Sequence, residues 1–317
     1  MFSRKVVKNS KRVGLLKKVI RDKGFARIIE VHNGLSGLIA NNLEIIKDNN
    51  TLSFDGFWES SLTDSSSKGL PDIELVSSDY RLETINQILE VTTKPMIVDG
   101  DTGGDSNQFA HFVRRLERVG VSMVIIEDKV FPKRNSFADS YQHLEDIAIF
   151  AEKIRKGVSV KHDKDFMIVA RLESLISGGT IDEAINRAKA FLRAGADGIM
   201  IHSKSSDPSE ILEFAKQYNQ LPKKLIKNKI LVCVPTTYNT ITSEALVKAG
   251  FQVIIYANHQ LRAAYKAMEE VCQKILLHDR SFEVDTDCIP IKKLFETVGM
   301  LEIIQTDKDN RGKLKKK

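Results

Sequence analysis

Short apolar runs alternate along the chain with longer segments in which apolar and polar positions recur at helical spacing. An apolar run of strand length, a polar residue and then an amphipathic segment together indicate a β-strand followed by an α-helix. Eight runs fit a strand, and in chain order they are ARIIEVHN, FDGFWESS, PMIVDGDT, VSMVIIEDK, FMIVARLE, ADGIMIHS, KILVCVP and FQVIIYANH. Because continuous apolar strands belong to parallel sheets that helices cover on both faces, the pattern predicts an α/β fold.

Helix boundaries are marked by glycines and capping residues. Gly120, Gly195 and Gly250 each stand between an amphipathic segment and an apolar run, in the position of a left-handed cap that ends a helix. Thr180 followed by Glu183 has the pattern of a capping box, which predicts a helix start at that point. The chain therefore passes from helix directly into strand at several places.

Eight strand–helix units predict a closed (β/α)8 barrel of the TIM type. An open doubly wound sheet is the alternative, but no GxGxxG follows the first strand and no GxxxxGK[ST] occurs in the chain. In a barrel the chemistry lies at the carboxyl ends of the strands, so the residues that close each apolar run are the candidate site.

The chain length of 317 residues and its 42% apolar composition suit one large domain with short extensions. We predict a basic N-terminal segment at 1–18, a catalytic barrel at 19–280, a C-terminal helical extension at 281–305 and a basic tail at 306–317. The formal charge of +6 lies in the two basic ends, and the chain between them is mildly acidic. We expect solvated ends and no nucleic-acid partner; an anionic partner or an organellar presequence is the alternative for these ends.

Composition also predicts the compartment. No run of about 18 apolar residues occurs, and the first residues lack the apolar core of a secretory signal, so we expect a soluble cytoplasmic protein without a membrane partner. Cys233, Cys272 and Cys288 form neither a CxxC pair nor an even set. We interpret them as core thiols in a reducing compartment.

Polar residues that close the predicted strands form a reactive set: Asn33, Ser60, Asp99 with Asp101, Glu127, Arg171 with Glu173, His202, Thr236 and Asn258. Asp99 and Asp101 are two apart, so on a strand both would point to one side, and Glu127 closes the next strand. Three unpaired carboxylates raise one another's pKa, and Mg²⁺ with its preference for oxygen ligands removes that cost. The alternative is a set of surface carboxylates paired with lysines.

Arg171 and His202 end the fifth and sixth strands, across the barrel mouth from the acids. A guanidinium fork and an imidazole ring suit a phosphoryl or carboxylate group. Two structural alternatives stay open, in which His202 is a hydrogen-bonded core histidine and Arg171 only pairs with Glu173.

Six stretches of the sequence carry a resemblance: HNGLS at 32–36, WESSLTDS at 58–65, DGDTGG at 99–104, EDKVFPKRNS at 127–136, VARLES at 169–174 and IMIHSK at 199–204. In order and spacing they resemble the phosphoenolpyruvate mutases of the isocitrate lyase/phosphoenolpyruvate mutase superfamily, over roughly residues 12–275. The resemblance implies a barrel whose eighth helix is swapped between subunits, in a homodimer or homotetramer.

The resemblance also implies roles for acids and for the substrate cradle. The residue matching Asp99 binds Mg²⁺ directly, and those matching Asp101, Glu127 and Asp72 assist through waters or hydrogen bonds. The substrate-binding residues are Trp58, Ser60, Ser61 and Leu62, of which Ser60 and the amides of Ser61 and Leu62 are similar to the cradle of the pyruvyl carboxylate and enolate.

A third group of implied residues handles the phosphoryl group. Arg171 and His202 resemble the family's phosphoryl-binding pair. Lys133, Asn135 and Ser136 fall on a loop that closes over the site in the family, where the residue like Asn135 contacts the phosphoryl group. With few apolar residues and several charges, the loop at 128–140 is expected to be mobile without ligand and ordered with oxalate and Mg²⁺.

The implied reaction interconverts phosphoenolpyruvate and phosphonopyruvate with Mg²⁺ as cofactor. A loose, metaphosphate-like transfer asks the protein for positioning and charge stabilisation. One alternative is a phosphonopyruvate hydrolase, in which a threonine tends to replace the residue matching Asn135. Another is a carbon–carbon lyase of the isocitrate or 2-methylisocitrate lyase type, although the loop here lacks a cysteine. The last is an inactive barrel that binds a partner through its basic ends.

Overall fold

The structure is a computed structural model that describes residues 6–138 and 142–314. Eight parallel strands close into a barrel in the order β1-β10-β9-β8-β7-β6-β5-β4, and β2 and β3 form a separate antiparallel pair. The strands are β1 Ala26–Glu30, β2 Ile45–Lys47, β3 Asn50–Leu52, β4 Gly56–Glu59, β5 Met96–Asp99, β6 Met123–Glu127, β7 Met167–Leu172, β8 Gly198–Ile201, β9 Ile230–Cys233 and β10 Val253–Tyr256. Each predicted strand contains one barrel strand, so the prediction of a (β/α)8 barrel is confirmed and the doubly wound sheet was wrong.

Helices connect the strands and continue beyond the barrel. They are α1 Asn9–Val13, α2 Leu15–Lys23, α3 Gly34–Asn42, α4 Ser61–Ser67, α5 Ser78–Val91, α6 Ser106–Val119, α7 Ile147–Ser159, α8 Ile181–Arg193, α9 Ser209–Asn219, α10 Lys223–Ile226, α11 Ser243–Ala249, α12 His259–His278, α13 Ile291–Thr297 and α14 Met300–Leu314, with a 3-10 turn at Phe282–Val284. Helix α14 continues past the predicted boundary at residue 305.

Apolar side chains form two cores, one inside the barrel and one between the strands and the helices. On β6, Met123 and Ile125 point into the barrel, whereas Val124 and Ile126 pack outward with the helices. Both faces of the strand are therefore buried, which is why its sequence is continuously apolar rather than alternating.

The predicted left-handed glycines are confirmed, with φ angles of 89° at Gly120, 107° at Gly195 and 108° at Gly250. Only glycine adopts this region without steric cost, so these three positions allow the chain to turn from helix into strand.

The hairpin of β2 and β3 was not predicted. Its turn residues Asp48 and Asn49 both have positive φ, 51° and 61°, as a two-residue hairpin turn requires. Because Ile45 and Ile46 are exposed, the hairpin contributes no buried strand, and its short apolar run gives no periodic signal.

Part of the basic N-terminal segment packs beneath the barrel. Val13 and Leu16 are buried in the cores, and the buried Arg12 donates from Nη1 to the Leu89 carbonyl at 3.0 Å. The expectation of a solvated segment was therefore wrong for these residues. The segment is helical, so its few apolar side chains lie on one face and can be buried while most of the basic side chains stay in solvent.

The C-terminal helices stand away from the barrel core. No residue of α12 is buried, and both Cys272 and Cys288 are exposed, whereas Cys233 on β9 is buried. The interpretation as core thiols was wrong for the first two because their segments do not join the core of this chain. None of the helices within residues 6–138 and 142–314 is long and apolar enough to span a membrane.

Candidate active site

A pocket at the carboxyl ends of the barrel strands gathers most of the predicted site residues, whereas Asn33 caps α3 and Glu173 binds Arg171 outside the pocket lining. Those that line it are Trp58, Ser60, Ser61, Leu62, Asp72, Asp99, Glu127, Lys133, Asn135, Ser136, Arg171 and His202. Asp101 lies beside the pocket, and the remaining lining residues are Phe137, Met200, Val234, Thr236, Ala257 and Asn258. The structure brings these residues together, while their individual roles stay predictions.

The two aspartates after β5 meet for a different reason from the one predicted. Asp99 ends the strand, but Asp101 lies in the following turn with a φ of 54°. The side chain of Arg81, on α5, donates to the Asp99 carbonyl and, at 2.7 Å, to Asp101 Oδ2. The Asp99 carboxylate accepts from the Asp101 amide at 3.1 Å and from Ser61 Oγ at 3.0 Å. A buried arginine therefore orders this turn.

Ser61 lies against Asp99, and its predicted contact with substrate stays a prediction. Its amide and its hydroxyl both point at Asp99 Oδ2, at 3.4 and 3.0 Å. Ser60 precedes α4 as its N-cap, so the amides of the first helical turn lie beside the pocket wall. The Ser61 amide thus contacts an acid in this arrangement, where the resemblance implied a contact with substrate.

Glu127 ends β6 and is almost fully buried. Burial raises its pKa to about 7, although the charges of Lys133 and Arg171 oppose that shift. Within the described ranges its Oε1 atom has no hydrogen-bond partner. The Nζ atom of Lys129 lies 3.9 Å from this oxygen. A buried carboxylate oxygen without a hydrogen bond costs free energy, and a cation or an ordered water would remove that cost.

The acids fit Mg²⁺ in their chemistry, because Asp99, Asp101 and Glu127 offer only oxygen ligands. In residues 6–138 and 142–314, however, no three histidine, cysteine or acidic side chains are placed to hold one ion together. This ion keeps several waters and uses one or two carboxylates in most protein sites. The arrangement therefore fits one direct carboxylate ligand with water-mediated partners better than three direct ligands.

Lys133 from the loop after β6 reaches into the acids. Its Nζ atom lies 2.7 Å from Asp101 Oδ1, 3.2 Å from Asp72 Oδ1 and 2.7 Å from Ser61 Oγ. Burial alone would lower the pKa of Lys133, but Asp101, Glu127 and Asp72 raise it well above its usual value. The alternative of surface carboxylates was wrong: the acids do pair with a lysine, but all of these groups are buried.

Arg171 and His202 lie together on the other side of the pocket. Arg171 donates from Nε to Glu173 Oε1 at 2.5 Å and from Nη2 to Ser136 Oγ at 3.0 Å. The Nδ1 atom of His202 lies 2.8 Å from both Arg171 Nη2 and Glu173 Oε1. Burial and the Arg171 charge lower the pKa of His202 while Glu173 opposes them, so the ring is neutral at pH 7.

Lys129 and Glu173 form a second layer of contacts around Arg171 and His202. Ser136 Oγ donates to Glu173 Oε2 at 2.6 Å and accepts from Lys129 Nζ at 2.7 Å. Lys129 also lies 2.9 Å from Glu173 Oε2 and is 1% exposed. Sequence reasoning missed Lys129 because a charge in a polar loop is normally solvated.

The segment 128–138 covers the pocket, and we call it the lid. Lys129, Lys133 and Ser136 are buried inward, while Val130, Phe131 and Phe137 are exposed by 41%, 54% and 49%. Residues 139 and 140 of the predicted mobile loop lie outside the described residues.

The cavity beneath the lid is about 40 Å³ in volume, room for on the order of three water molecules. Asn135 Nδ2, on the lid, donates to Asp72 Oδ2 at 2.6 Å. A substrate with a carboxylate and a phosphoryl group needs more space than this, which agrees with the prediction that the lid is mobile.

Two further residues near the acids were not predicted. Arg81 is 3% exposed and lies on the same face of α5 as Ile85 and Ile88, both fully buried. Arg81 could have been identified from the sequence, because it lies at helical spacing from residues that are expected in the core. Glu74 precedes α5 and accepts hydrogen bonds from Thr102 and from the Lys133 amide. Nothing in its sequence context predicts these contacts.

The closed barrel, the buried acids opposite an arginine–histidine pair and the covering lid are the features of a TIM-barrel enzyme. The sequence profile of phosphoenolpyruvate phosphomutase matches residues 16–276. The chain therefore belongs to the phosphoenolpyruvate phosphomutase family, and the resemblance inferred from the six motifs is confirmed.

Individual relatives agree with this assignment. The phosphoenolpyruvate phosphomutase of Tetrahymena pyriformis is 36% identical over 296 residues, which are 92% of this chain and 93% of that protein. The crystal structure of the phosphoenolpyruvate phosphomutase from Streptomyces platensis subsp. rosaceus is 35% identical, with a TM-score of 0.84 over 95% of this chain and 98% of that one. Phosphonopyruvate hydrolase in complex with oxalate and Mg²⁺ is 30% identical, with a TM-score of 0.80 over the same shares.

Proposed function

We propose that this protein interconverts phosphoenolpyruvate and phosphonopyruvate, with Mg²⁺ as its cofactor. The observation that carries the proposal is the arrangement of one pocket: buried acids with Lys133 on one side, Arg171 and His202 on the other, and the lid above them. Such a site can hold the carboxylate and the phosphoryl group of one substrate at the same time. A transfer within one molecule requires that both groups are held in position.

The acid side would hold the cofactor. Asp99 is the proposed direct ligand, with Asp101, Glu127 and Asp72 acting through waters or hydrogen bonds. When bound, Mg²⁺ supplies positive charge that stabilises an enolate. The neighbouring Trp58 and Ser60 shape the wall against which the pyruvyl unit would lie.

The basic side would hold the phosphoryl group. Arg171 is fixed by Glu173 and Ser136, so its guanidinium pays little entropy when it binds phosphoryl oxygens. His202 is neutral at pH 7 and offers a hydrogen bond without adding charge. In a loose transfer the protein mainly positions the group and stabilises its spread charge.

Asn135 decides between a mutase and the alternative hydrolase. Its amide lies on the lid, lines the pocket and donates to Asp72. The amide can hold the phosphoryl group while the closed lid excludes water, so that the enolate oxygen recaptures the group. A shorter hydroxyl at this position would leave room for a water molecule.

Phosphorus NMR tests this proposal directly. Wild-type protein incubated with phosphonopyruvate and Mg²⁺ is expected to give phosphoenolpyruvate with little free phosphate. Asn135→Ala is expected to lose about 10²-fold in turnover and to release a larger share of pyruvate and phosphate. Stoichiometric phosphate from the wild type, without a phosphoenolpyruvate signal, would instead make the protein a hydrolase.

We further propose that the protein is a homodimer or homotetramer that exchanges α12. In a closed barrel the helix after β10 would cover the strands beside α3, but α12 has no buried residue. Its exposed residues Tyr265, Met268 and Ile275, with Cys272 between them, form a stripe at helical spacing. Leu35 and Ile39 on α3 are exposed as well. A second copy of this chain would cover both surfaces.

Charge placed in the stripe should weaken this assembly. Met268→Glu is expected to shift the sedimentation equilibrium mass towards the monomer, because a carboxylate would be buried in the interface. Gln273→Glu adds the same charge away from the stripe and should leave the mass unchanged. A monomeric wild type, or equal masses for the two variants, would contradict the exchange.

A further inference from the structure

Glu74 lies between two functional segments that are distant in sequence. It follows Asp72 by two residues and has a φ of 61°, in the left-handed region that side chains other than glycine and asparagine seldom adopt. Residues held in such strained conformations persist where the surrounding structure fixes them, and they cluster at functional sites.

The carboxylate of Glu74 joins the turn after β5 to the lid. Its Oε1 atom accepts from the Thr102 amide at 3.0 Å and from Thr102 Oγ1 at 2.7 Å. Its Oε2 atom accepts from the Lys133 amide at 2.8 Å. Thr102 directly follows Asp101 and is fully buried, while Lys133 is the lid residue whose side chain reaches the same aspartate.

Each oxygen of this carboxylate therefore accepts hydrogen bonds from one segment only, Oε1 from the turn after β5 and Oε2 from the lid. Burial and the nearby Asp101 raise the pKa of Glu74, which its three donors oppose. An acid placed beside another acid is unfavourable unless those donors are present. The lid in its closed position supplies one of them, and the turn that carries the acids supplies the other two.

We propose that Glu74 is a positioning residue that couples lid closure to the acid turn. The lid closes onto a turn that Glu74 already holds in place, so ligands that order the turn also favour the closed lid. The coupling to Mg²⁺ rests on the proposed function, whereas the connection between lid and turn does not.

Glu74→Gln is the informative variant, because the amide has one acceptor oxygen and can serve only one of the two segments. Hydrogen exchange of the lid amides 128–138 is measured without ligand and with Mg²⁺ and oxalate. We expect exchange about tenfold faster than wild type in both states, and a smaller gain in protection on adding the ligands. Glu83→Gln, an exposed residue of α5, is the matched control.

A second variant tests the same contact if Glu74→Gln folds poorly. Thr102→Val removes the hydroxyl that donates to Glu74 Oε1 and accepts from the Gly104 amide at 3.2 Å, and on its own it should also speed lid exchange. Wild-type lid exchange in this variant would count against the coupling. Mg²⁺ affinity by calorimetry should fall about 10-fold in Glu74→Gln, and phosphorus NMR should show more free phosphate. Thermal unfolding of Glu74→Gln, compared with Glu83→Gln and the wild type, shows whether the variant is folded.

The outcomes separate this inference from the proposed function. Wild-type lid exchange and wild-type Mg²⁺ affinity in a folded Glu74→Gln variant would overturn the coupling and leave the proposed activity intact. If the wild type neither binds Mg²⁺ nor converts phosphonopyruvate, the proposed function fails. Faster lid exchange of ligand-free Glu74→Gln would in that case still support the connection.

Discussion

Replacing Asp99 with alanine is expected to lower turnover of phosphonopyruvate by more than about 10³-fold, because the proposed direct ligand of the cation is lost. The change also removes the acceptor of Ser61 and of the Asp101 amide, so the acid turn loses an internal contact. Turnover is measured at saturating Mg²⁺, with Mg²⁺ affinity measured separately by calorimetry.

Asp101→Ala and Glu127→Ala are the comparison variants. Both residues are proposed to act through waters, so each should weaken Mg²⁺ binding by about 10- to 100-fold and regain turnover as Mg²⁺ is raised. Full activity of the Asp99 variant, or of the wild type in excess EDTA, would show that the acids do not form the cofactor site.

Arg171→Lys is expected to reduce turnover by about 10²- to 10³-fold, although the charge is kept. The guanidinium contacts Glu173 through Nε, and it contacts both Ser136 and His202 through Nη2. One ammonium cannot maintain these contacts and also bind two phosphoryl oxygens. Turnover and thermal unfolding of the same samples are the measurements.

The same variant tests the structural alternative for Arg171. The structure shows that Arg171 does pair with Glu173, so this pairing exists whether or not the residue binds substrate. If the pairing is its whole role, Arg171→Lys should unfold at a lower temperature yet turn over at the wild-type rate. A large loss of turnover with little change in unfolding temperature would support the proposed role.

The barrel could be predicted because burial on both faces gives each strand its continuous apolar sequence. Met123 to Ile126 shows the rule on β6, where alternate residues enter the two cores. The hairpin at Ile45–Leu52 could not be found in this way because its side chains are mostly exposed. Exposed strands are under no pressure to alternate, so they leave no period to detect.

The location of the site could be predicted as well, because a parallel barrel places the carboxyl ends of all its strands at one rim. The contacts within it could not. Asp99 and Asp101 meet because Arg81 binds both, from a helix that precedes them in sequence. A pattern along one strand carries no information about a side chain that arrives from another element.

Burial of the lid charges was also beyond the sequence. Lys129 and Lys133 belong to a segment whose composition indicates a solvated loop, yet acids that follow other strands bind both. Only the packed tertiary structure decides whether a lysine faces water or a carboxylate.

The lid has the opposite arrangement to an ordinary surface loop. Its charged residues Lys129 and Lys133 are buried, and Val130, Phe131 and Phe137 are exposed to solvent. Its closure therefore removes little apolar surface from water, so the heat-capacity change of closing is small. The enthalpy of closing should then vary little with temperature. Added salt would screen the attraction between the charges of an open lid and the acids, so raised ionic strength is expected to favour the open form.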